Sequence, residues 1–519
     1  MKHLYSFLLS ALVCLSLSAQ NKVSGDSLAA DFHYLVKQLE AAHPDPYTGF
    51  GGKVFFHKQA FDLENELRSQ PHTLQEFWDK SMAFLSFIQD GHTYLFSLAP
   101  KQQQEQSYLP VGFRCIPDGL IVQSLPAAHQ DLLGSLLIGI NGKSMDELLA
   151  RTASLFACEN LYNRYSVFCR NVVRRQFMQQ LLPDLEDTVC FYLRTPDGKD
   201  VTLEQHFMEN EELRKAEKVN LPSWVGCPEE QMAYRFIDKK KEVMMFKVNS
   251  IMARDNFEYM YKHIKGDLLR QMEFYYQNAL KKEMPADTLQ AICALPSFSG
   301  TFAAMLKEMK KHHSEYLIID LRGNSGGWTP IVLASLYQLY GDKYLQKDMD
   351  TEYYRIVSPL YMNKLEITLE EFNRSYGTDY SFGDYTFSMK EQEDIPLDTL
   401  RRQFIDGCMS SVKEELRAQK GAPVYAPKQV FVVTDERTFS AAFHYAFMLW
   451  KMGATVVGVP SGQAPNTFME QTLFKLPYTG IEGSISNSVQ IFLPGKDKRA
   501  KTFWPDVMLT YDEYKQTGF

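Results

Sequence analysis

The chain has 519 residues, 45% of them hydrophobic and 23% charged, which excludes a disordered, collagenous or small disulfide-stapled protein and leaves room for several domains with buried cores. Lys and Arg number 55 against 63 Asp and Glu, so the net charge is −8. A chain this mildly acidic has no general attraction to phosphate backbones, and nucleic acid is not an expected partner.

The first residues read as an address. Lys2 and His3 precede an apolar run from Leu4 to Leu17, and small residues Ser16, Ser18 and Ala19 close it. This pattern predicts a secretory signal over 1–19 and export to the periplasm or beyond. Cys14 raises the alternative of lipoprotein anchoring, but Val13 stands where a small residue is expected before the acylated cysteine. No later stretch offers about 18 unbroken apolar residues, so no membrane span is expected. Of 8 cysteines, Cys14 leaves with the signal. The others form no C-x-x-C pair and no H-E-x-x-H spacing occurs, so scattered core thiols with one disulfide at most are expected, and neither a metal nor a cofactor.

Residues 20–105 read as an N-terminal helical domain. Phe32, Leu35, Val36 and Leu39 form one apolar stripe, and His43-Pro44-Asp45-Pro46 ends that helix. A second stripe runs from Phe61 to Leu67. A third helix starts at Thr73, with Glu76 completing a capping box, and breaks at Asp90-Gly91-His92-Thr93. From 106 to 215 the texture is β-rich, with turns at Asp118-Gly119 and Asp197-Gly198 and a Gly134–Gly142 stretch. Charged sequence from Glu209 to Lys218 reads as a linker.

Residues 230–519 read as α/β. Continuous apolar runs at 243–248, 316–321, 430–433 and 455–459 suggest strands covered on both faces, alternating with helices at 302–311, 331–340 and 441–452. The acidic-aromatic stretch 343–426 is expected to be an insertion lying over the sheet.

Three segments could carry chemistry. In Ile319-Asp320-Leu321-Arg322-Gly323-Asn324-Ser325-Gly326-Gly327 a buried strand runs into a glycine turn that can leave backbone N–H groups unobstructed for an oxyanion. It is also literally G-x-S-x-G around Ser325, the pattern of an α/β-hydrolase elbow. Only His444 lies downstream to serve Ser325, and it falls within a helix. In Thr438-Phe439-Ser440-Ala441-Ala442 a serine stands at a helix start, where it could cap the helix or attack a carbonyl. His92 in Asp90-Gly91-His92-Thr93 is a natural base for a serine.

Together these segments resemble the tail-specific (C-terminal-processing) serine peptidases, and more closely their tricorn-type relatives. The matching pieces, in order, are Asp90–Thr93, Ile319–Gly327, Thr438–Ala442, Gly458–Gly462 and Pro505-Asp506. The Gly134–Gly142 stretch is similar to that of a PDZ-type domain. The resemblance implies a crotonase/ClpP-like α/β catalytic domain, Ser440 as nucleophile, and backbone oxyanion donors at Gly326, Gly327 and Ala441. The processing branch uses a lysine where this chain reads Ser461-Gly462-Gln463, whereas His92 matches the tricorn-type base. The acid behind the histidine then falls to Asp497 or Asp506, and Phe443 replaces a common glutamate. The expected activity is an exported serine endopeptidase acting on peptides or unfolded protein. The alternatives are a catalytically silent binder of peptides or apolar ligands on the same fold, and an esterase using Ser325.

Overall fold

A computed structural model describes residues 22–98, 107–222, 231–264, 266, 268–387, 395–517. The expected signal at 1–19 lies outside them. Three helices open the chain: α1 (Gly25–Ala42), α2 (Lys53–Ser69) and α3 (Leu74–Ser86). Their starts follow from local chemistry. Ser24 accepts the Ser27 N–H at the start of α1, and Thr73 and Glu76 form the anticipated capping box on α3. The stripe Phe32, Leu35, Val36 and Leu39 is buried. It does not close on its own helices, because Phe474, Leu476, Ile481 and Ile485 from near the C-terminus share the same core. A two-residue strand, β1 (Tyr94–Leu95), follows α3.

The β-rich segment contains β2 (Gly112–Ile116), β3 (Gly119–Pro126), β4 (Leu136–Ile140), α4 (Met145–Leu155), α5 (Leu161–Asn171), β5 (Thr188–Arg194), β6 (Asp200–His206) and β7 (Lys218–Asn220). These strands belong to an antiparallel sheet with main path β7-β3-β4-β5-β6 and β2 on β3. The two Asp-Gly turns join β2 to β3 and β5 to β6, as their sequences predict. The stretch expected to be a linker is ordered instead: Asn210–Lys215 is helical, and β7 pairs Lys218 with Pro126 at the sheet edge. An exposed edge strand needs no apolar alternation, so its sequence carried no strand signal.

The remaining strands build two sheets. The first has order β8 (Met232–Phe236), β9 (Val243–Val248), β10 (Tyr316–Asp320), β13 (Gln429–Thr434) and β14 (Thr455–Gly458), all parallel except β8. Between them lie α6 (Phe298–His312), α7 (Pro330–Tyr340), β11 (Glu352–Ile356) and β12 (Tyr385–Phe387); α8 (Ala441–Lys451) connects β13 to β14. Phe246, Leu317, Ile319 and Val432 are buried with Phe302, Leu336 and Tyr445, so side chains from strands and helices fill one core. Thr288–His312 is long and apolar enough by composition to cross a membrane, but Phe298, Phe302, Met305, Leu306 and Met309 from it belong to this core.

The second sheet is assembled from distant parts of the chain. β16 (Glu482–Ile491) pairs along its length with β15 (Asn466–Lys475), and on its other edge with β1 and β11, which in turn carries β12. The 343–426 stretch therefore contributes strands rather than only lying over a sheet. Strands this short leave no readable periodicity. Among the described residues the cysteines Cys115, Cys158, Cys169, Cys190, Cys293 and Cys408 are free thiols.

Buried Asp31 of α1 ties the N-terminal helices to the β15–β16 hairpin by accepting the Tyr478 and Thr479 N–H groups, each at 2.8 Å. Asp31→Ala removes the acceptor of two part-buried N–H groups, and should cost about 1–2 kcal/mol. A fall in the urea midpoint at unchanged m-value is the expected result.

Candidate active site

The turn after β10 is clamped before it reaches the glycines. Asp320 holds the Arg322 guanidinium through Nε at 2.9 Å and Nη2 at 2.6 Å, and the Asp435 carboxylate accepts the Gly323 N–H. Asn324 donates from Nδ2 to the Val248 carbonyl at 3.0 Å and accepts the Gly326 N–H at 2.9 Å. Its carbonyl accepts the Phe439 N–H at 3.1 Å, locking this turn onto the one that carries the serine. A Cβ at residue 326 would fall 2.6 Å from Ser440 Cβ and 2.9 Å from Ala441 N, so only glycine permits the approach. Gly326 and Gly327 have φ of 109° and 141°, which L side chains rarely adopt.

Ser440 stands at the start of α8 with φ 52° and ψ −127°, a backbone state that costs a non-glycine residue on the order of 1–3 kcal/mol. Its side chain makes no capping hydrogen bond, which removes the simplest structural reason for a serine there. Its N–H is donated to Gln463 Oε1. The Gln463 amide in turn faces His444 Nε2 at 3.5 Å. Of the three backbone donors expected for an oxyanion, Gly326 is corrected: its N–H is committed to Asn324. Ala441, at the first position of α8, and Gly327 keep donors that no backbone carbonyl takes up.

His92 is held by its own turn. Asp90 Oδ1 accepts the His92 backbone N–H at 2.8 Å, while Oδ2 accepts the Thr93 hydroxyl and faces His43 Nε2 at 3.3 Å. Ser484 of β16 donates to the His92 carbonyl at 2.8 Å. The imidazole is 6% exposed, and neither ring nitrogen has a hydrogen-bond partner. The ring lies against Phe439, centroid to centroid 4.9 Å, immediately before the serine. His92 and Ser440 line one cleft of 2290 Å³ together with Gly326, Gly327 and Trp328, but no hydrogen bond joins them.

Electrostatics distinguish the groups. Burial lowers the His92 pKa below the usual 6.5, against the opposing pull of Asp90 and the nearby Phe468 carbonyl. Burial would raise Asp90, but the His43 contact and the two histidine charges outweigh it and hold the carboxyl at about 2. His444 falls to about 4 through burial, despite its bond to Gln490, and the His92 charge pushes the same way. That influence puts His92 within electrostatic reach of the first turn of α8.

The expected acids are not where the histidine needs them. Asp497 accepts the Arg499 N–H at 2.8 Å, and Asp506 accepts the Val456 N–H at 2.9 Å; neither lines the cleft. The carboxylates beside His92 Nδ1 are Asp90 Oδ1 and Glu159 Oε1, each at 3.9 Å. Glu159 lies between α4 and α5, in the β-rich segment, where nothing in the sequence pattern pointed to it. Asp90, His92 and Glu159 are also the group among the described residues whose ligand-type atoms converge, all within 4.8 Å. Ser325 lines the cleft, yet His444 spends both ring nitrogens on Thr329 and Gln490, each at 2.8 Å, and offers it no base. Lys451 pairs with Asp350 at 2.6 Å and Lys475 lies 3.8 Å from Glu482, so neither supplies the lysine of the processing branch.

A serine at a strained helix start, a glycine turn pressed against it and a buried histidine line the same cleft. Residues 290–482 match the sequence model of peptidase family S41, and this similarity supports a serine peptidase. No curated protein matches it. Its fold is similar to that of mature CPAF, with a TM-score of 0.55 at 14% identity over 95% of both chains. Mature CPAF complexed with lactacystin gives 0.53 at 15% identity, over 95% of this chain and 97% of the other.

Gly326→Ala forces a methyl group into Ser440 and Ala441. It should cost about 1–3 kcal/mol of stability and abolish turnover in the fraction that remains folded. A thermal melt paired with a peptidase assay reads both.

Proposed function

We propose that the protein is an exported endopeptidase that cleaves peptides or unfolded chain ends through an acyl-enzyme on Ser440, with His92 as general base. The observation that carries the reading is Ser440 itself, held in a strained backbone with a side chain that caps nothing, in one cleft with the buried His92. His92 Nε2 takes the Oγ proton as Oγ attacks the scissile carbonyl carbon. The oxyanion is received by the N–H groups of Ala441 and Gly327. The imidazolium then gives its proton to the departing amine, and water activated by the same nitrogen hydrolyses the ester. Catalytic hydrogen bonds are commonly long before substrate arrives, which accommodates the present lack of a Ser440–His92 bond.

The match of His92 to the tricorn-type base supports the tricorn-type branch in this reading. The five-stranded, largely parallel sheet fits a crotonase/ClpP-like catalytic domain, and the antiparallel sheet with α4 and α5 fits a PDZ-like module. Export rests on residues 1–19 alone.

Ser440→Ala should lower kcat by at least about a thousandfold with little change in stability, and a fluorophosphonate should label wild type at Ser440. Absence of any adduct, with peptide binding retained, would establish the silent binder instead; an adduct on Ser325 would establish the esterase. Because His92 acts neutral and burial lowers its pKa, kcat/KM should fall as pH drops through a midpoint below 6.5. A pH–rate profile with no acid limb below that value contradicts the assignment.

A further inference from the structure

We propose that Glu159, supplied by the β-rich segment, is the positioning residue that orients His92, a role that rests on the Ser440–His92 reading above. Two carboxylates stand 3.9 Å from His92 Nδ1, and their surroundings separate them. Asp90 is a fixed part of the turn. It lies two residues from the histidine, takes that residue's own backbone N–H, and spends its second oxygen on Thr93 and His43. Such a carboxylate shapes the main chain and has little freedom to follow the ring.

Glu159 reaches the same nitrogen from another part of the fold. Its Oε2 accepts the Ala464 N–H at 2.8 Å, Oε1 accepts the Gly91 N–H at 3.3 Å and lies 3.9 Å from His92 Nδ1, and the Thr467 hydroxyl also bonds the carboxylate. The approach needs glycine at 91, where a Cβ would lie 3.0 Å from Oε1 and 2.6 Å from the Phe439 ring. The connector that bears Glu159 is pinned to the loop beyond the nucleophile. Asn160 Nδ2 donates to the Ser461 and Lys501 carbonyls, and Asn163 Oδ1 accepts the Glu159 N–H at 3.2 Å. Glu159 is thus a strut between the 90–93 turn and the 461–464 loop, with Oε1 3.9 Å from the imidazole Nδ1.

The tautomer follows from this contact. An ionised Glu159 accepts Nδ1–H and leaves the Nε2 lone pair for the Ser440 proton, whereas a protonated Glu159 donates to Nδ1 and puts the ring proton on Nε2. The titratable groups facing Glu159 are Asp90 and His92, with His43 behind Asp90; Thr467 adds a hydroxyl from β15. Burial first, and the Asp90 charge second, push Glu159 up to about 8. The carboxylate form is therefore gained as pH rises, and kcat should climb a second step near pH 8, with apparent values that belong to the coupled pair.

The test is Glu159→Gln in the full chain, assayed for kcat and KM against pH on an unstructured peptide. The expected result is a kcat lower by about a hundredfold, KM within about twofold, and loss of the upper step. Glu159→Asp should restore part of the rate and keep that step. On a His92→Ala background Glu159→Gln should cost less than about twofold more, since a residue acting through His92 has nothing left to act on. Asp497→Asn and Asp506→Asn should leave kcat as it is. An unchanged kcat and pH profile in Glu159→Gln, or an equal loss with and without His92, overturns the proposal while an inactive Ser440→Ala preserves the peptidase reading. A Ser440→Ala enzyme that still turns over overturns both.

Discussion

Two turns from different crossovers of the parallel sheet press together at Gly326 and Ser440, and that contact sets the terms for the rest of the site. Residue 326 has no side chain, so its backbone comes within the space a methyl group would need, and Asn324 takes up the Phe439 N–H to hold the approach. The positive φ of Ser440 is sustained by those surroundings, together with Gln463 on its N–H. Strain of this kind persists only where neighbouring structure over-determines the backbone. Here it frees a hydroxyl that would otherwise cap the helix.

The histidine arrives by a different logic. Its turn is built from buried charge: Asp90 is kept ionised by His43 and His92, and its oxygens fix the main chain on either side of the ring. The imidazole is buried against Phe439, and that burial favours its neutral form over the opposing pull of Asp90. The second sheet makes this possible. β1 leads directly from the 90–93 turn into pairing with β16, which fastens a helix end from the first hundred residues to a strand near the last forty.

Three regions therefore meet at one cleft: the N-terminal turn, the β-rich segment through Phe156, Asn163 and Arg170, and the sheet that carries Ser440 and the glycines. The similarity of fold to mature CPAF extends over almost the entire chain at 14% identity. At that level the fold has been kept while most side chains have changed. The acid nearest the histidine in this protein must accordingly be read from contacts rather than carried over from a motif.

Much was legible in the chain itself wherever the signal was local. The capping box at Thr73, the Asp-Gly hairpins, the apolar runs of the parallel sheet and the glycine turn after β10 all come from interactions spanning a few residues, and they appear where their patterns put them. Ser440 and His92 could be named because each sits inside such a local pattern. Glu159, Gln463 and the β1, β11 and β12 strands of the second sheet could not, since a glutamate in a polar connector, a glutamine in a loop and strands of two to five residues acquire meaning only from what lies opposite them. Asp497 and Asp506 fail for the same reason: nearness in sequence to a motif says nothing about which carboxylate the folded chain brings to an imidazole more than three hundred residues away.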